Sequence, residues 1–520
     1  MAAAAPRTAP AQGLGHACRR DVEARAAHPE KPVVTIGRSL LLSLVDKSLG
    51  TLMSVGMMVV VSRLLSPAEI GLFLVSSAAV ILIETFRDFG VASSIIKEPS
   101  PSTEFLRSAA TIVALLSLSL GLGLYLGAGA IAALYGAADL APLLEVAALG
   151  FLFAPISSVR LALLRREMAF GRVAAIGLGA NGMGTLTALG LAISGWGALS
   201  LAWGSVATAC AAAILAQTLR PEPDLYRPTL AHWRRILPFG AWSCLVTILG
   251  LLTETLPRLI IGRILGFTAV GLLARAVSLT QLPDRLVLSA VQPVALPAFA
   301  ELRRAKAELS KVYLGALSLV VILQWPALAC LGILADPAVR LLLGDQWLAA
   351  IPLLQVVSLA GMALFPASLA FPILVAVEAI RDLAILNLIF VPLLAATIIV
   401  AAQFGLMEVA WSLLPLNIVQ GLALLAAVRR HIPFRWSELG RVIGRGLGIV
   451  GATILIPAAV MITKGPTPDT RMTAIAVFGA MIGWFIGVSA TDNLLAPRLN
   501  RLRTGRLKGP VRKLVTLVRQ

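Results

Sequence analysis

Residues 108–134 read SAATIVALLSLSLGLGLYLGAGAIAAL. These 27 residues carry no charged side chain. Because an α-helix rises 1.5 Å per residue, about 20 apolar residues are enough to cross the roughly 30 Å hydrocarbon core of a bilayer. The segment is therefore predicted to be a transmembrane helix, and similar stretches recur along the chain.

The composition of the whole chain agrees with a membrane environment. Of its 520 residues, 58% are hydrophobic and 13% are charged, and the mean hydropathy is +0.89. A soluble domain usually carries about 25% charged residues. In a bilayer only helix bundles and closed barrels satisfy the backbone, and the apolar stretches here are much longer than the roughly 10-residue strands of a barrel. We therefore predict an all-α polytopic membrane protein with about fourteen transmembrane helices.

The basic residues predict the orientation of the chain. The net charge is +18, but the Lys and Arg residues lie between apolar stretches and in the tails. If both termini are cytoplasmic, 35 of the 44 Lys and Arg residues fall in cytoplasmic segments and 5 in outer loops. This bias is typical of an inner-membrane protein with cytoplasmic termini. No basic patch on a folded domain is evident, so a nucleic-acid partner is not expected.

The chain contains an internal repeat. Residues 62–72 read SRLLSPAEIGL and residues 262–272 read GRILGFTAVGL, with four identities 200 positions apart. Residues 142–145 read PLLE and residues 352–355 read PLLQ, 210 positions apart. Six spans per half make the repeat parallel, with an axis along the membrane normal. Two such halves predict a central cleft that opens to either side in turn.

These patterns divide the chain into six parts. We predict two six-helix bundles joined by a cytoplasmic linker and followed by two extra transmembrane helices, with a tail at each end. The boundaries are a disordered cytoplasmic tail at 1–35, the first bundle at 36–218, the linker at 219–236, the second bundle at 237–430, the two extra helices at 431–491 and a basic cytoplasmic tail at 492–520.

Four basic residues lie within predicted spans. Charged groups are costly in the bilayer and usually face a watery cavity or a partner. These four lie in spans 1, 7 and 8, which begin the two halves and are expected to line the cleft. They predict a cationic site for an anionic substrate such as a pyrophosphate, formed by Lys47, Arg258, Arg275 and Arg285.

Four of the acidic residues in predicted spans have two interpretations. They either couple transport to H⁺ or Na⁺ or serve as ion-pair partners of the basic residues. Glu254 precedes Arg258 by four positions, so both lie on one helix face in the favourable order for an ion pair. The other candidates are Asp46, Glu84 and Asp284.

Other motifs do not indicate catalysis or a cofactor. Residues 177–182 read GLGANG, a literal GxGxxG, but they lie in an apolar helix with no preceding strand, so helix packing explains them better than nucleotide binding. The four cysteines form no CxxC pair, and the four histidines lie in tails or loops. We expect no metal, no cofactor and no enzymatic activity.

Several segments resemble a known family. Parts of the chain resemble, in order, the conserved segments of lipopolysaccharide-biosynthesis flippases. These parts are residues 61–73 together with 88–97, residues 163–170, residues 272–283 and residues 335–347. These flippases are Wzx-type members of the multidrug/oligosaccharidyl-lipid/polysaccharide exporter superfamily. One departure is the pair Leu272-Leu273, where the family usually has an aromatic residue before the span-8 arginine, here Arg275.

The resemblance implies a function and partners. It implies two six-helix bundles around a cationic cavity and the flipping of undecaprenyl-pyrophosphate-linked oligosaccharide by alternating access. The expected partners are that lipid-linked anionic oligosaccharide, membrane lipids, H⁺ or Na⁺ as a coupling ion, and a polysaccharide polymerase with its assembly proteins.

Two alternatives stay open. A cation-coupled multidrug antiporter of the same superfamily would favour a carboxylate-rich cavity, whereas the spans here concentrate basic residues. A membrane glycosyltransferase or polymerase usually needs a large outer loop, and the longest one here, around residues 335–349, is short.

Overall fold

The computed structural model describes residues 54–88, 90–98, 101–222, 227–304, 308–465 and 470–491. The predicted tails and the first part of span 1 lie outside these ranges. Within them the chain forms helices and no strand. The helices are α1 Ser54–Leu64, α2 Pro67–Asp88, α3 Val91–Lys97, α4 Thr103–Tyr135, α5 Leu140–Arg166, α6 Phe170–Ile193, α7 Ala198–Leu219, α8 Trp233–Ile264, α9 Phe267–Arg304, α10 Leu309–Ile333, α11 Ala335–Leu342, a 3₁₀ turn Asp345–Ala350, α12 Ile351–Ala363, α13 Ala367–Ala376, α14 Ile380–Ala402, α15 Leu406–His431, α16 Trp436–Lys464 and α17 Thr470–Thr491.

Most of these helices can cross a bilayer. In the described part of the chain, eleven candidate spans are long and apolar enough. Two further helices, α8 and α9, have 32 and 38 residues and carry the charges predicted to line the cleft. Large apolar side chains such as Leu126, Ile462 and Phe478 are exposed, as expected of surfaces that face lipid. The prediction of an all-α polytopic membrane protein is confirmed.

The helices pack in two halves. In the first half α6 packs on α7 and α4 packs on α5, and α5 also contacts α7. In the second half α12 packs on α15, and α14 contacts both α8 and α15. The two extra helices, α16 and α17, pack against each other, and α16 lies against α10. The halves meet where α2 contacts α8 and α9.

The helix boundaries follow the repeat. Helix α2 begins at Pro67 and α9 at Phe267, 200 positions later. Helix α6 begins at Phe170 and α14 at Ile380, 210 positions later. The turns before those two helices also match, because Met168 and Glu378, again 210 apart, both have left-handed backbone with φ of 57° and 63°. The two halves are therefore built on one plan.

One predicted span is broken. The apolar stretch 350–374, which is long enough to be predicted as one transmembrane helix, forms α12 and α13 with a turn between them. Pro366 is the N-cap residue of α13. Proline removes a backbone donor and clashes with the preceding turn, which explains the interruption at this position.

Candidate functional site

Two glycines bring the backbones of α2 and α9 into direct contact. A Cβ added at Gly71 would lie 1.8 Å from the carbonyl oxygen of Phe267. A Cβ added at Gly271 would lie 2.1 Å from the carbonyl oxygen of Pro67. Since real Cβ atoms do not approach other atoms within 3.0 Å, only glycine permits this contact. Gly71 and Gly271 are repeat equivalents, so the pseudo-twofold axis passes between them.

This contact lies at one end of the bundle, which we call the sealed end. It carries the connections 65–66, 136–139 and 265–266 and the segment 335–350, which comprises α11 and the 3₁₀ turn. Each of these connections joins helices of one half, and together they cover the place where the two halves meet.

Segment 335–350 is hydrogen-bonded to the end of α1. The indole N–H of Trp347 donates to the carbonyl oxygen of Ser62 at 2.7 Å. The side-chain amide of Gln346 donates to the carbonyl oxygens of Ser62 and Leu65. Trp347 is completely buried. The segment therefore holds a helix of the first half against the second half.

Further contacts stabilise the sealed end. The hydroxyl of Tyr135 in the first half donates to the carbonyl oxygen of Leu259 in the second, at 3.1 Å. Within segment 335–350, Arg340 donates to Asp336 and Asp345, each at 2.9 Å. The hydrogen bond to Asp336 raises the pKa of the Arg340 guanidinium above its ordinary value. These ion pairs stabilise the conformation of segment 335–350, which contains Trp347.

Arg275 lies one helical turn beyond Gly271, directly below the sealed contact. Its guanidinium carbon is 5.7 Å from the centroid of the Trp347 ring, a distance suited to a cation–π interaction. Its Nε is buried and has no hydrogen-bond partner among the described residues. The repeat-equivalent position holds Val75, so the duplication does not supply a second arginine here. The guanidinium retains donors for an anion.

A cavity of about 410 Å³ extends from Arg275 into the first half. Its walls come from α1, α2, α6 and α7, with Arg275 reaching in from α9. Among the lining residues that the structure describes, Arg275 carries the charge and the polar groups are neutral. The polar lining residues are Ser54, Asn181, Thr185, Ser205 and Thr208.

The remaining predicted residues of α9 face elsewhere. Asp284 accepts a hydrogen bond from the side-chain amide of Gln324 in α10 at 2.6 Å. Arg285 is exposed and donates to the side chain of Gln281 at 3.3 Å. Asp284 follows Arg275 by nine positions, which is half a helical turn out of phase, so these two residues lie on opposite faces of α9.

The described predicted residues of the other spans also do not line the cavity. Glu254 is exposed and acts electrostatically on the partly buried Arg258. Glu84 forms an ion pair with Arg87 at 3.1 Å. Asp46 and Lys47 lie outside the described residues. Of the eight predicted site residues, the structure places Arg275 in the cavity.

Sequence reasoning missed three contributors. Trp347 and Gln346 were part of a family-like segment, but their contact with a residue some 285 positions away has no local signal. Asn181 lies inside the GxGxxG-like stretch that we assigned to helix packing. That assignment fits Gly179, whose Cβ would meet Leu215 of α7 at 2.7 Å. An amide in the middle of an apolar span was the available signal for Asn181.

The fold is similar to that of solved membrane-transport proteins. Two parallel six-helix halves meet at the sealed end, and a cavity in the first half is lined by Arg275 from the second half. Among solved structures, the lipid II flippase MurJ in an inward closed conformation aligns with a TM-score of 0.72 and 15% identity, over 88% of this chain and 100% of that chain. An inward-facing multidrug resistance transporter of the MATE family, in the MOP superfamily, aligns with a TM-score of 0.59 and 18% identity, over 74% and 94%. At these identities the likeness shows the fold.

The chain belongs to the polysaccharide biosynthesis protein family, whose model matches residues 60–352. It is 27% identical over 309 residues to the lipopolysaccharide biosynthesis protein WzxC of Escherichia coli, covering 59% of this chain and 62% of the relative. It is 26% identical over 319 residues to the succinoglycan biosynthesis transport protein ExoT of Rhizobium meliloti, covering 61% and 64%. The matches thus span less than two thirds of these relatives. The resemblance noted in the sequence is confirmed.

Proposed function

We propose that this protein flips an undecaprenyl-pyrophosphate-linked oligosaccharide across the inner membrane for cell-surface polysaccharide synthesis. The observation that supports the proposal is the position of Arg275, a cation from the second half that lines a cavity in the first half and whose Nε has no hydrogen-bond partner among the described residues. Family membership and the transport function named for the relative ExoT support it.

The proposed orientation places the sealed end outside. Lys and Arg residues concentrate at the opposite end and in the tails, which are therefore proposed to be cytoplasmic. The structure then corresponds to a state closed toward the outside. We propose that the two bundles, residues 36–218 and 237–430, move relative to each other during transport.

The proposed mechanism is alternating access. In the outward-closed state the pyrophosphate binds Arg275 through charge-assisted hydrogen bonds, which are among the strongest that a protein can offer to an anion. Opening of the sealed end then exposes the bound headgroup to the outside. Lys47, Arg258 and Arg285 are proposed to contact the substrate at other stages of this movement.

The membrane potential can supply the driving force. Moving one charge through about 100 mV is worth roughly 2.3 kcal/mol, so two negative charges moving outward gain about 4.6 kcal/mol when the inside is negative. Glu84 and Asp284 have partners in the structure, and we propose structural roles for both. Glu254 stays a candidate for coupling to H⁺ or Na⁺. A complex with a polysaccharide polymerase is proposed from family membership alone.

Replacement of Arg275 tests the proposal in cells. Arg275→Ala should abolish polysaccharide export at normal membrane levels, and Arg275→Lys should retain part of it, because lysine keeps the charge but loses the guanidinium geometry. Arg263→Ala, which removes an exposed arginine near the sealed end, is the matched control. Normal export with Arg275→Ala would overturn the assignment.

A multidrug antiporter is the alternative reading of the same fold. Such a transporter would need a carboxylate to bind cationic drugs, and the described lining residues of the cavity contain an arginine and no carboxylate. The cavity chemistry therefore favours an anionic substrate.

A further inference from the structure

The side of the cavity formed by α6 and α7, which we call the α6–α7 wall, carries polar groups that are not part of the proposed pyrophosphate site at Arg275. Asn181 is the twelfth residue of the 24-residue helix α6, so it lies near the middle of a predicted span. Its side chain is exposed and lines the cavity. Neither the Asn181 amide nor the Thr185 hydroxyl has a hydrogen-bond partner among the described residues. Unpaired polar groups at this depth are costly and usually mark a substrate path.

These groups form one surface. Asn181 and Thr185 are four positions apart, which places them on the same face of α6. On α7, Ser205 and Thr208 line the same cavity. The surface therefore presents the Asn181 amide and the Thr185 hydroxyl, together with the hydroxyl oxygens of Ser205 and Thr208, which donate their protons to the carbonyl oxygens of Ala202 and Gly204 and remain acceptors.

The wall is held in a fixed shape by close helix packing. A Cβ at Gly184 would lie 2.7 Å from the carbonyl oxygen of Gly204, and a Cβ at Gly204 would lie 2.9 Å from the carbonyl oxygen of Gly184. The two helix backbones are thus in near contact, and the spacing between the polar groups of α6 and α7 is set by the fold.

We propose that this wall is a carbohydrate subsite that binds the neutral sugar attached directly to the pyrophosphate. The inference rests on the proposed function, and it names the part of the substrate that the first half recognises. Amide and hydroxyl groups are the neutral partners that sugar hydroxyls require. The apolar side of the same cavity, with Phe73 and Met57, can pack against the C–H face of a sugar ring.

The size and charge of the cavity restrict the ligand. Its volume of about 410 Å³ lies at the lower end of the roughly 300–1,000 Å³ typical of small-molecule sites, which suits a single sugar beside Arg275. Arg275 is the charged group of the described lining, and the pyrophosphate engages it. A sugar bound against the α6–α7 wall is therefore uncharged.

The test compares two lipids in proteoliposomes. The probes are a fluorescent undecaprenyl pyrophosphate carrying one neutral hexose and the same lipid without a sugar. The variant Asn181→Leu with Thr185→Val removes the hydrogen-bonding groups and keeps similar volumes in an apolar helix. The control is Thr187→Val, because the Thr187 hydroxyl is bonded to the Met183 carbonyl oxygen and does not line the cavity.

The double variant should flip the hexose-bearing lipid about tenfold more slowly, the size expected from losing two neutral hydrogen bonds. It should flip the sugar-free lipid at the wild-type rate, and Thr187→Val should leave both rates unchanged. Equal slowing of both lipids, or no slowing, would overturn the sugar subsite while the pyrophosphate site stands. Failure of the wild-type protein to flip either lipid would overturn the proposed function and this subsite together.

Discussion

Replacing Gly71 by alanine should force the two halves apart at the sealed end. The added Cβ would lie 1.8 Å from the carbonyl oxygen of Phe267, where at least 3.0 Å is needed. The obstructing atom belongs to the backbone, so no side-chain rotation relieves the clash. Helices α2 and α9 must separate locally by at least about 1.2 Å, the difference between those two distances.

The size of the effect follows from the cost of overpacking. Inserting a methyl group into a tightly packed contact costs about 1–3 kcal/mol. Because the proposed alternating access would relieve this clash by opening the sealed end, the closed state should lose population by roughly 5- to 150-fold relative to the open state. Gly271→Ala should act in the same direction, since its Cβ would meet the Pro67 carbonyl oxygen at 2.1 Å.

Pulsed electron–electron double resonance can measure the opening. Spin labels at Leu64 and Leu341, both exposed, report the separation of α1 from α11 across the sealed end in a cysteine-free background. Gly71→Ala should populate a longer distance. Gly123→Ala is the control, because a Cβ at Gly123 has nothing within 4 Å. If the Gly71 and Gly123 variants gave the same distances with both proteins folded, the role of the glycine contact would be refuted.

Three further predictions concern single contacts. Trp347→Phe removes the hydrogen bond to the Ser62 carbonyl oxygen but keeps a ring near Arg275, so a maleimide that cannot cross the membrane should label a cysteine introduced at the sealed end about 2- to 10-fold faster; unchanged labelling would contradict the role of this hydrogen bond in holding α1 against segment 335–350. Asp284→Asn should keep export, whereas Gln324→Leu leaves a carboxylate without its donor and should lower the unfolding free energy by about 1–3 kcal/mol in a thermal assay; loss of export in a stable Asp284→Asn protein would argue for coupling instead. Arg160→Met removes a side chain that is 1% exposed and donates to three backbone carbonyls, so the free energy of unfolding should fall by about 2 kcal/mol or more; wild-type stability would show that these three hydrogen bonds do not stabilise the fold.

The sequence allowed the prediction of the fold because its signals are local or repeated. The apolar run at 108–134 corresponds to α4, which extends from Thr103 to Tyr135. The echo between 62–72 and 262–272 identified Gly71 and Gly271 as equivalents, and the structure places them in contact. A repeat predicts symmetry, and symmetry predicts where the halves can meet.

The site was predicted less completely because it depends on contacts between distant segments. Charge within a span identified Arg275, but it also selected Asp284, whose partner Gln324 lies on another helix. Which face of α9 turns to the cavity is decided by the packing of both halves. Trp347 and Asn181 come from different halves, and hydropathy carries no information on their proximity to Arg275.

The most direct test of the central claim is leaflet-to-leaflet movement of a fluorescent undecaprenyl-pyrophosphate oligosaccharide in proteoliposomes, with and without an imposed potential. The lipid should move faster when it starts on the negative side of the membrane, and its movement should disappear with Arg275→Ala. If the lipid stayed in its leaflet while small organic cations exchanged across the membrane, the claim that this cavity carries a lipid-linked anion would be contradicted.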